Sequence, residues 1–305
     1  MKNRFTPEGR GRYKAEYTAE EIYDAMRTGA IIEGTVRLCD SDMTLYVDLG
    51  CMQGVMPKEL TCFTDGEIKD IAVITRVGRR VCFKVLAVEE AENSRRAVLS
   101  RYDAQKQCIT EYLQYLRPGD IIPCTVTHTD RFGAFLDVGC GVTALLPVDR
   151  MSLSRIRHSE ERVTRGDTVR CAVLSLEIKP FRMFLTLKEL LGTFEENKNR
   201  FAPGQTVEGI VRGVEEYGIF VEIMPNLSGL SEYREGYSPS DSVSVYIKNM
   251  DASKMKVKLV IVGALGKAET RPLEYFVPES VDHISVWRYS PVNAAREIIT
   301  DFDGL

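Results

Sequence analysis

The sequence of 305 residues lacks the features that mark a membrane protein, a metalloprotein or most enzymes. No apolar run is long enough to span a membrane, and the first residues are polar and basic, unlike a secretory signal. The chain has no phosphate-binding glycine loop, no nucleophile elbow and no zinc motif. Its three histidines, His128, His158 and His283, lie far apart, so no triad or metal site is predicted. We therefore expect a cytoplasmic protein with no catalytic residue, no metal, no cofactor and no contact with a membrane.

The eight cysteines never occur as a Cys-x-x-Cys pair, which argues against a zinc site or a disulfide framework. Most of them lie within apolar, strand-like runs. We therefore expect reduced and buried thiols, as in a protein from a reducing compartment.

The net charge of −4 disfavours a protein that binds polyanions by charge alone. The charge is nevertheless uneven along the chain. Residues 1–14 have five Lys or Arg against one Glu, a net +4, and residues 118–188 have ten basic against eight acidic residues, a net +2. Residues 264–305 are acidic, with four basic against seven acidic residues, a net −3. Solvated surface is the alternative interpretation of these local excesses.

Three segments begin in the same way, at Gly29, Gly119 and Gly204, and are 90 and 85 residues apart. Each opens with an apolar strand-like run and continues through a central motif with an acid near its end. Short aliphatic and Val-rich runs follow, separated by turns that contain Gly or Pro. The pattern indicates an internal repeat of five short strands, which is typical of a small closed β-barrel.

Helices are predicted before the first repeat and in the linkers between the repeats. Thr18-Ala19-Glu20-Glu21 has the form of a capping box, and Gly29 suits the helix end. Tyr275–Val277 and Ile284–Trp287 suggest a hairpin, and Ser290-Pro291 suggests the start of a final helix. The predicted fold is mainly β, with three tandem barrels joined by helical linkers and a small C-terminal αβ extension. The predicted divisions are a flexible basic arm and short helix (1–28), repeat 1 (29–100), a linker (101–117), repeat 2 (118–188), a linker (189–202), repeat 3 (203–263) and the extension (264–305).

The central motif of repeat 2 is Phe132-Gly133-Ala134-Phe135, and that of repeat 3 is Tyr217-Gly218-Ile219-Phe220. Rings three positions apart on a flat strand point to opposite faces. A bulge at the glycine would bring both rings to one exposed face and form a stacking platform. The alternative interpretation is that these rings belong to the barrel core.

The three segments resemble the S1 RNA-binding repeat, a family named for a protein of the bacterial small ribosomal subunit. The resemblance covers about three quarters of the chain. It implies five-stranded OB-fold barrels that bind RNA across strands two and three. It also implies an RNA face with two aromatic residues, a histidine on strand three and an arginine before strand five. The aromatic and basic positions carry over to Phe132, Phe135, Arg182, Tyr217, Phe220, Lys256, Tyr46 and Arg96.

The repeats depart from the family pattern in several places. Pro57 and Pro147 stand where the family has its histidine, and repeat 3 has no clear equivalent. Repeat 1 has Met43 and Tyr46 at the ring positions, and the third strand of repeat 3 looks shortened around Ser228–Glu232. Repeat 2 is therefore expected to dominate RNA binding, with repeat 3 second. Repeat 1 is expected to serve mainly for docking or structure.

Two further features have open interpretations. His128 lies near Phe132. It is interpreted either as a surface or structural histidine or as an RNA contact. The segment Met151–Arg170, with Arg155, Arg157, Arg162 and Arg165, tracks a phosphate backbone or is solvated surface.

The resemblance implies a non-catalytic protein that binds single-stranded RNA, including mRNA, in translation or mRNA handling. The small ribosomal subunit is the implied second partner. An alternative is a protein-interaction or ribosome-docking module in which RNA contact is minor. An accessory role in RNA degradation is a third possibility.

We predict that the protein binds single-stranded RNA more tightly than duplex RNA, because exposed rings stack only on unpaired bases. Titration of both RNAs at one salt concentration measures the difference. Equal or tighter binding of a blunt duplex would contradict this prediction.

Overall fold

The computed structural model describes residues 5–11, 14, 16–64, 66–91 and 94–304. Within these ranges the chain forms three closed five-stranded barrels, as the repeats predict. All three have the same strand order, in which the fifth strand lies between the third and the fourth. The mainly β class and the OB-like barrels are therefore confirmed.

The chain divides into two compact units. The first contains barrel 1 and the first linker helix, together with residues 137–143 and 178–181. The second contains the rest of barrel 2, barrel 3 and the C-terminal extension.

Helix α1 (Ala19–Thr28) precedes barrel 1 and begins with the predicted capping box. The Thr18 hydroxyl accepts a hydrogen bond from the Glu21 amide, and the Glu21 carboxylate accepts one from the Thr18 amide. Gly29 ends the helix in the left-handed conformation, with φ at 65°. The remaining elements are β1 (Ile32–Cys39), β2 (Leu45–Asp48), β3 (Gln53–Met56), α2 (Asp70–Ile74), β4 (Arg80–Ala91) and β5 (Ser94–Ser100).

Helix α3 (Arg101–Glu111) forms the first linker, and Ser100 caps it by accepting a hydrogen bond from the Asp103 amide. The strands of barrel 2 alternate buried and outward side chains, which is the pattern of a strand with one face in a core. In β8, Ala144 and Leu146 are buried and Leu145 lies outward, partly exposed. The strands are β6 (Ile121–Thr129), β7 (Gly133–Asp137), β8 (Thr143–Pro147), β9 (Thr168–Ile178) and β10 (Phe181–Thr186).

The second linker contains helix α4 (Phe194–Lys198), which Thr193 caps. Barrel 3 consists of β11 (Thr206–Glu215), β12 (Gly218–Met224), β13 (Leu227–Ser231), β14 (Asp241–Asp251) and β15 (Lys256–Lys267). The expected shortening of its third strand is wrong, because β13 has five residues, as β8 has.

Within its described residues, the C-terminal extension contains the end of β15 and a two-stranded sheet, β16 (Val286–Arg288) with β17 (Ile299–Asp301). The strand that pairs with β16 is therefore β17, and not Tyr275–Val277 as we expected. The helix expected after Ser290 is not formed. Its backbone is used elsewhere: the Ala295 amide donates to the Ser253 carbonyl, and the Ile298 amide donates to the Ser290 hydroxyl. A segment this short has little intrinsic helix stability, so these contacts decide its conformation.

Residues 5–11 of the basic arm pack against the first unit, contrary to the expected flexibility. Phe5 is buried and its ring stacks on Tyr112, with the centroids 6.1 Å apart. The Glu8 carboxylate accepts a hydrogen bond of 2.6 Å from the buried Arg101 guanidinium, and the Glu8 amide donates to Asp137. The arm is held because Arg101, without this carboxylate, would be a buried unpaired charge. Lys2, Arg4 and Arg12 lie outside the described residues.

Five of the eight free thiols are buried, as the apolar runs predict: Cys82, Cys108, Cys124, Cys140 and Cys171. Cys51 is exposed because it lies in the turn between β2 and β3. No helix in the described part of the chain is both long and apolar enough to cross a membrane.

The acids that recur once per repeat have two different roles. Asp48 and Asp137 accept hydrogen bonds from backbone amides of the turn after the second strand, as expected for structural residues. Glu222 is the corresponding acid of repeat 3. Its carboxylate accepts hydrogen bonds from two arginine side chains and not from the amides of a turn.

These arginines are Arg162 of repeat 2 and Arg212 of β11. Each donates two hydrogen bonds to the Glu222 carboxylate, at 2.8–3.1 Å, and Arg212 also pairs with Glu161. Arg162, Arg212 and Glu222 are almost fully buried. Burial raises the pKa of Glu222, but the two guanidinium groups outweigh it and lower the pKa to about 2. Arg162 therefore joins two repeats and is not a candidate phosphate contact.

We predict that Glu222→Gln lowers the free energy of unfolding by about 3 kcal/mol at pH 7, because it removes a paired buried charge. The carboxylate stabilises the fold above its unfolded pKa of about 4.3 and loses this effect as the pH falls towards 2. The difference between wild type and variant should therefore shrink between pH 4.5 and about 2.

Denaturant unfolding followed by fluorescence measures this effect, since the single tryptophan, Trp287 of β16, is buried in the hydrophobic cluster that contains the core of barrel 3. Glu216→Gln is the control, because Glu216 is an exposed turn residue of the same barrel. A stability difference that is independent of pH would contradict the prediction.

Candidate nucleic-acid interface

The two rings of repeat 2 lie side by side on the outside of barrel 2. Phe132 lies in the turn before β7 and is 51% exposed, and Phe135 lies on β7 and is half-buried. Their centroids are 5.8 Å apart, in an edge-to-face arrangement at 82°. Tyr217 and Phe220 repeat this geometry on barrel 3, at 6.0 Å and 87°, with Tyr217 69% exposed. Both predicted ring pairs therefore form, and neither pair belongs to the core.

The rings meet for a different reason from the one expected. The first ring of each pair lies in the turn, so only the second ring is on a strand. In barrel 3 the bulge is on the neighbouring strand, between Val211 and Gly213, and not at Gly218. For barrel 3, the expected bulge at the glycine is therefore wrong.

The motif glycines are needed for the close approach of strand three. A Cβ on Gly133 would lie 2.4 Å from the Leu146 carbonyl oxygen, and one on Gly218 would lie 2.5 Å from that of Ser231. Any larger residue would push the turn and its ring away from the barrel.

Barrel 3 has a row of outward residues across its strands. Phe220 pairs with Gly213 on one side and Leu230 on the other, and Leu230 pairs with Lys258 of β15. Gly213 has no side chain to cover the Phe220 ring. Lys256 precedes Lys258 by two positions, so both lysines lie on the outer face of β15.

The outward residues of this row on barrel 3 line a groove of about 800 Å³. Its aromatic wall is Tyr217 and Phe220, and its basic side chains include Arg155, Lys248, Lys256 and Lys258. Glu232, which also lines the groove, follows Ser231 as Pro147 follows Leu146. It therefore occupies the place of the family's histidine in repeat 3, for which the sequence offered no clear residue.

Barrel 2 has the matching row. The His128 ring is exposed and stacks against Phe135, with centroids 6.1 Å apart and planes at 21°. Phe184 of β10 pairs with Leu145 of β8, and both are partly exposed. Arg182 is exposed two positions before Phe184, on the same face of the strand. The structure thus brings His128, Phe132 and Phe135 together, with Arg182 on the outer face of β10.

Sequence reasoning missed Phe184 and Lys258. Each lies two positions after a predicted basic residue, Arg182 or Lys256. Strand alternation places residues two apart on one face, so the period-two pattern was the available signal.

In barrel 1 the predicted residues have other partners. The Tyr46 hydroxyl donates to the Asp40 carboxylate at 2.9 Å, and Arg96 pairs with Glu89 at 2.6 Å. Met43 is half-buried and packs against the barrel core. Hydrogen bonds from the Thr44 amide and the Tyr46 hydroxyl lower the pKa of Asp40, so this acid stays ionised beside the ring. Among the described residues of barrel 1, this face therefore has no ring pair, and the predicted cation, Arg96, is paired with an acid.

Among the described residues, no group of three His, Cys, Asp or Glu side chains is arranged to hold a metal ion. His158 accepts a hydrogen bond from the Glu160 amide, and His283 pairs with Asp120 at 2.8 Å. Both histidines thus have structural roles.

We predict that Gly218→Ala lowers the free energy of unfolding by about 1–3 kcal/mol, because its methyl group meets a backbone carbonyl that cannot move aside. Gly213→Ala is the control: its Cβ would lie 3.7 Å from Phe220, an ordinary contact. Unfolding followed by Trp287 fluorescence compares the two. Equal stability of both variants would show that the close approach is not required.

Residues 115–188 match the family model of the S1 RNA binding domain. The small ribosomal subunit protein bS1 of Staphylococcus saprophyticus is 32% identical over 237 residues, which cover 72% of this chain and 58% of the relative. That of Staphylococcus epidermidis is 33% identical over 242 residues, which cover 73% and 59%. The chain thus spans less than two thirds of the length of these curated relatives.

Among solved structures, a multidomain protein with nucleic acid binding domains from Streptococcus pneumoniae is 16% identical. The match covers 82% of this chain and 76% of that chain, at a TM-score of 0.25. A score this low supports no conclusion about function.

Proposed function

Because residues 115–188 belong to the S1 RNA-binding domain family and the chain resembles bS1, we propose that the protein binds single-stranded RNA without catalysis. The observation that supports this proposal is the pair of outward-facing rings on each of barrels 2 and 3. An exposed cation, Arg182 or Lys256, lies on the fifth strand of each of these barrels. Aromatic rings stack on any unpaired base, and nearby cations contact the phosphates.

The role that fits is a ribosomal-protein-like one in translation or mRNA handling, in the cytoplasm. The bS1 relatives are named as proteins of the small ribosomal subunit, and we propose mRNA and that subunit as partners. The proposed RNA contacts are Phe132, Phe135, Arg182 and His128 on barrel 2, and Tyr217, Phe220 and Lys256 on barrel 3.

The proposal gives barrel 1 a lesser part in RNA binding. Tyr46 and Arg96, predicted as contacts from the resemblance, face carboxylates that would repel a phosphate. The expected order, with repeat 2 first, repeat 3 second and repeat 1 last, stays a prediction.

A protein-docking role for barrel 1 is the second candidate. This barrel exposes large apolar side chains, including Leu38, Ile71, Ile74 and Val77, at 41–64%. Exposed apolar side chains near one another favour contact with another protein. RNA binding that survives loss of every ring pair would favour this role for the whole chain.

We predict that changing Phe132 and Phe135 together to Ala costs about 2–4 kcal/mol of RNA binding, from two lost stacks. The matched change of Met43 and Tyr46 to Ala should cost less than about 1 kcal/mol, since that face lacks a ring pair. Titration of both variants with one single-stranded RNA measures the costs, beside thermal melts that check the fold.

The fold should survive the repeat 2 change, because these rings lie outside the core. Normal binding by the repeat 2 variant would remove the stacking assignment. Unfolding of that variant would instead make Phe132 and Phe135 core residues.

A further inference from the structure

The groove on barrel 3 includes residues that barrel 3 does not supply. The loop after β8 of repeat 2 extends to it, and Leu153, Ser154 and Arg155 form part of its lining. Arg155 is exposed there, on the same groove as Tyr217 and Phe220.

The backbone of this loop is fixed to the β12–β13 turn of barrel 3. The Leu153 amide donates to the Asn226 side-chain oxygen, and the Ser154 amide donates to the Pro225 carbonyl, each at 3.0 Å. The Ser154 hydroxyl is 2.5 Å from that of Ser228. Position 155 is therefore held beside the groove before any ligand arrives.

The β12–β13 turn is itself held in place by hydrogen bonds to other segments of the chain. The Asn226 side-chain amide donates to the carbonyls of Lys188 and Gly192, at 2.7 and 2.9 Å. The Tyr289 hydroxyl of the C-terminal extension donates to the Asn226 carbonyl. The loop after β8, the second linker and the C-terminal extension are thus all hydrogen-bonded to the buried Asn226.

Arg155 has no ion-pair partner within the described ranges, in contrast to the two buried arginines of this region. Arg162 and Arg212, its neighbours in the same region, are neutralised by Glu161 and Glu222. An unpaired, exposed guanidinium group on a fixed segment of backbone is suited to bind an oxyanion such as a phosphate.

We infer that Arg155 of repeat 2 completes the groove of repeat 3 and binds a phosphate of the RNA whose bases stack on Tyr217 and Phe220. This inference rests on the proposed function. It makes the groove a composite of two repeats, in which the rings hold bases and a residue from the preceding repeat holds the backbone.

The experiment is a titration of the full chain with a 12-nucleotide single-stranded oligouridylate at several salt concentrations. Arg155→Ala should weaken binding by roughly tenfold or more, the usual effect of one hydrogen bond to a charged group. It should also make the log–log salt slope less steep by about 0.7, which corresponds to one phosphate contact on a single strand. Arg155→Lys should keep the wild-type slope.

Arg157→Ala is the matched control. Arg157 is an exposed arginine in the same loop, two residues away, and it does not line the groove. Its loss should leave affinity and slope unchanged. Equal weakening by Arg157→Ala would show a diffuse effect of loop charge and overturn the inference.

The double change of Tyr217 and Phe220 to Ala distinguishes a failure of the composite groove from a failure of the proposed function. If this variant binds weakly while Arg155→Ala binds like wild type with the wild-type slope, the composite groove is wrong and the proposed function stands. If the unmodified chain does not bind the oligonucleotide, the proposed function fails and the role of Arg155 fails with it.

Discussion

The carboxylate of Glu222 is the contact on which the second compact unit depends. It accepts hydrogen bonds from Arg162 of repeat 2 and Arg212 of repeat 3, and the partly exposed Glu161 completes a set of two acids and two bases. Such a set is stable only when every charge is paired, so the partners must keep one geometry. The loop that contains Arg162 also contains Arg155, and fixing one end of this loop against barrel 3 helps to fix the other.

The three barrels have one architecture and three different outer faces. At the strand-five position of the outer row stand Val98, Phe184 and Lys258, on barrels 1, 2 and 3. The first of these residues is aliphatic, on a face whose tyrosine is hydrogen-bonded to an acid. The second is aromatic, and the third is basic. A stable barrel interior allows this divergence because outward residues contribute little to the core. Stacking and phosphate contacts can therefore be divided between repeats without changing the fold.

The sequence was sufficient to predict what depends on local pattern. The three barrels and the Thr18 capping box follow from local pattern, and the structure has them. The two ring pairs also form, although not through the expected bulge. The sequence was insufficient where distant residues meet. Glu8 lies 93 positions from Arg101, and Arg162 lies 60 from Glu222, so neither pair is visible in a local window. The expected helix after Ser290 failed for the same reason: its backbone bonds to Ser253 instead.

In the proposed function, RNA bases contact the ring pairs of barrels 2 and 3. Photocrosslinking of the full chain to a single-stranded oligouridylate, followed by mass spectrometry of the crosslinked peptides, tests this contact directly. The account predicts crosslinks on the peptides that contain Phe132 with Phe135 and Tyr217 with Phe220. Crosslinks concentrated on the Met43–Tyr46 segment or on the C-terminal extension, with none at the ring pairs, would contradict it.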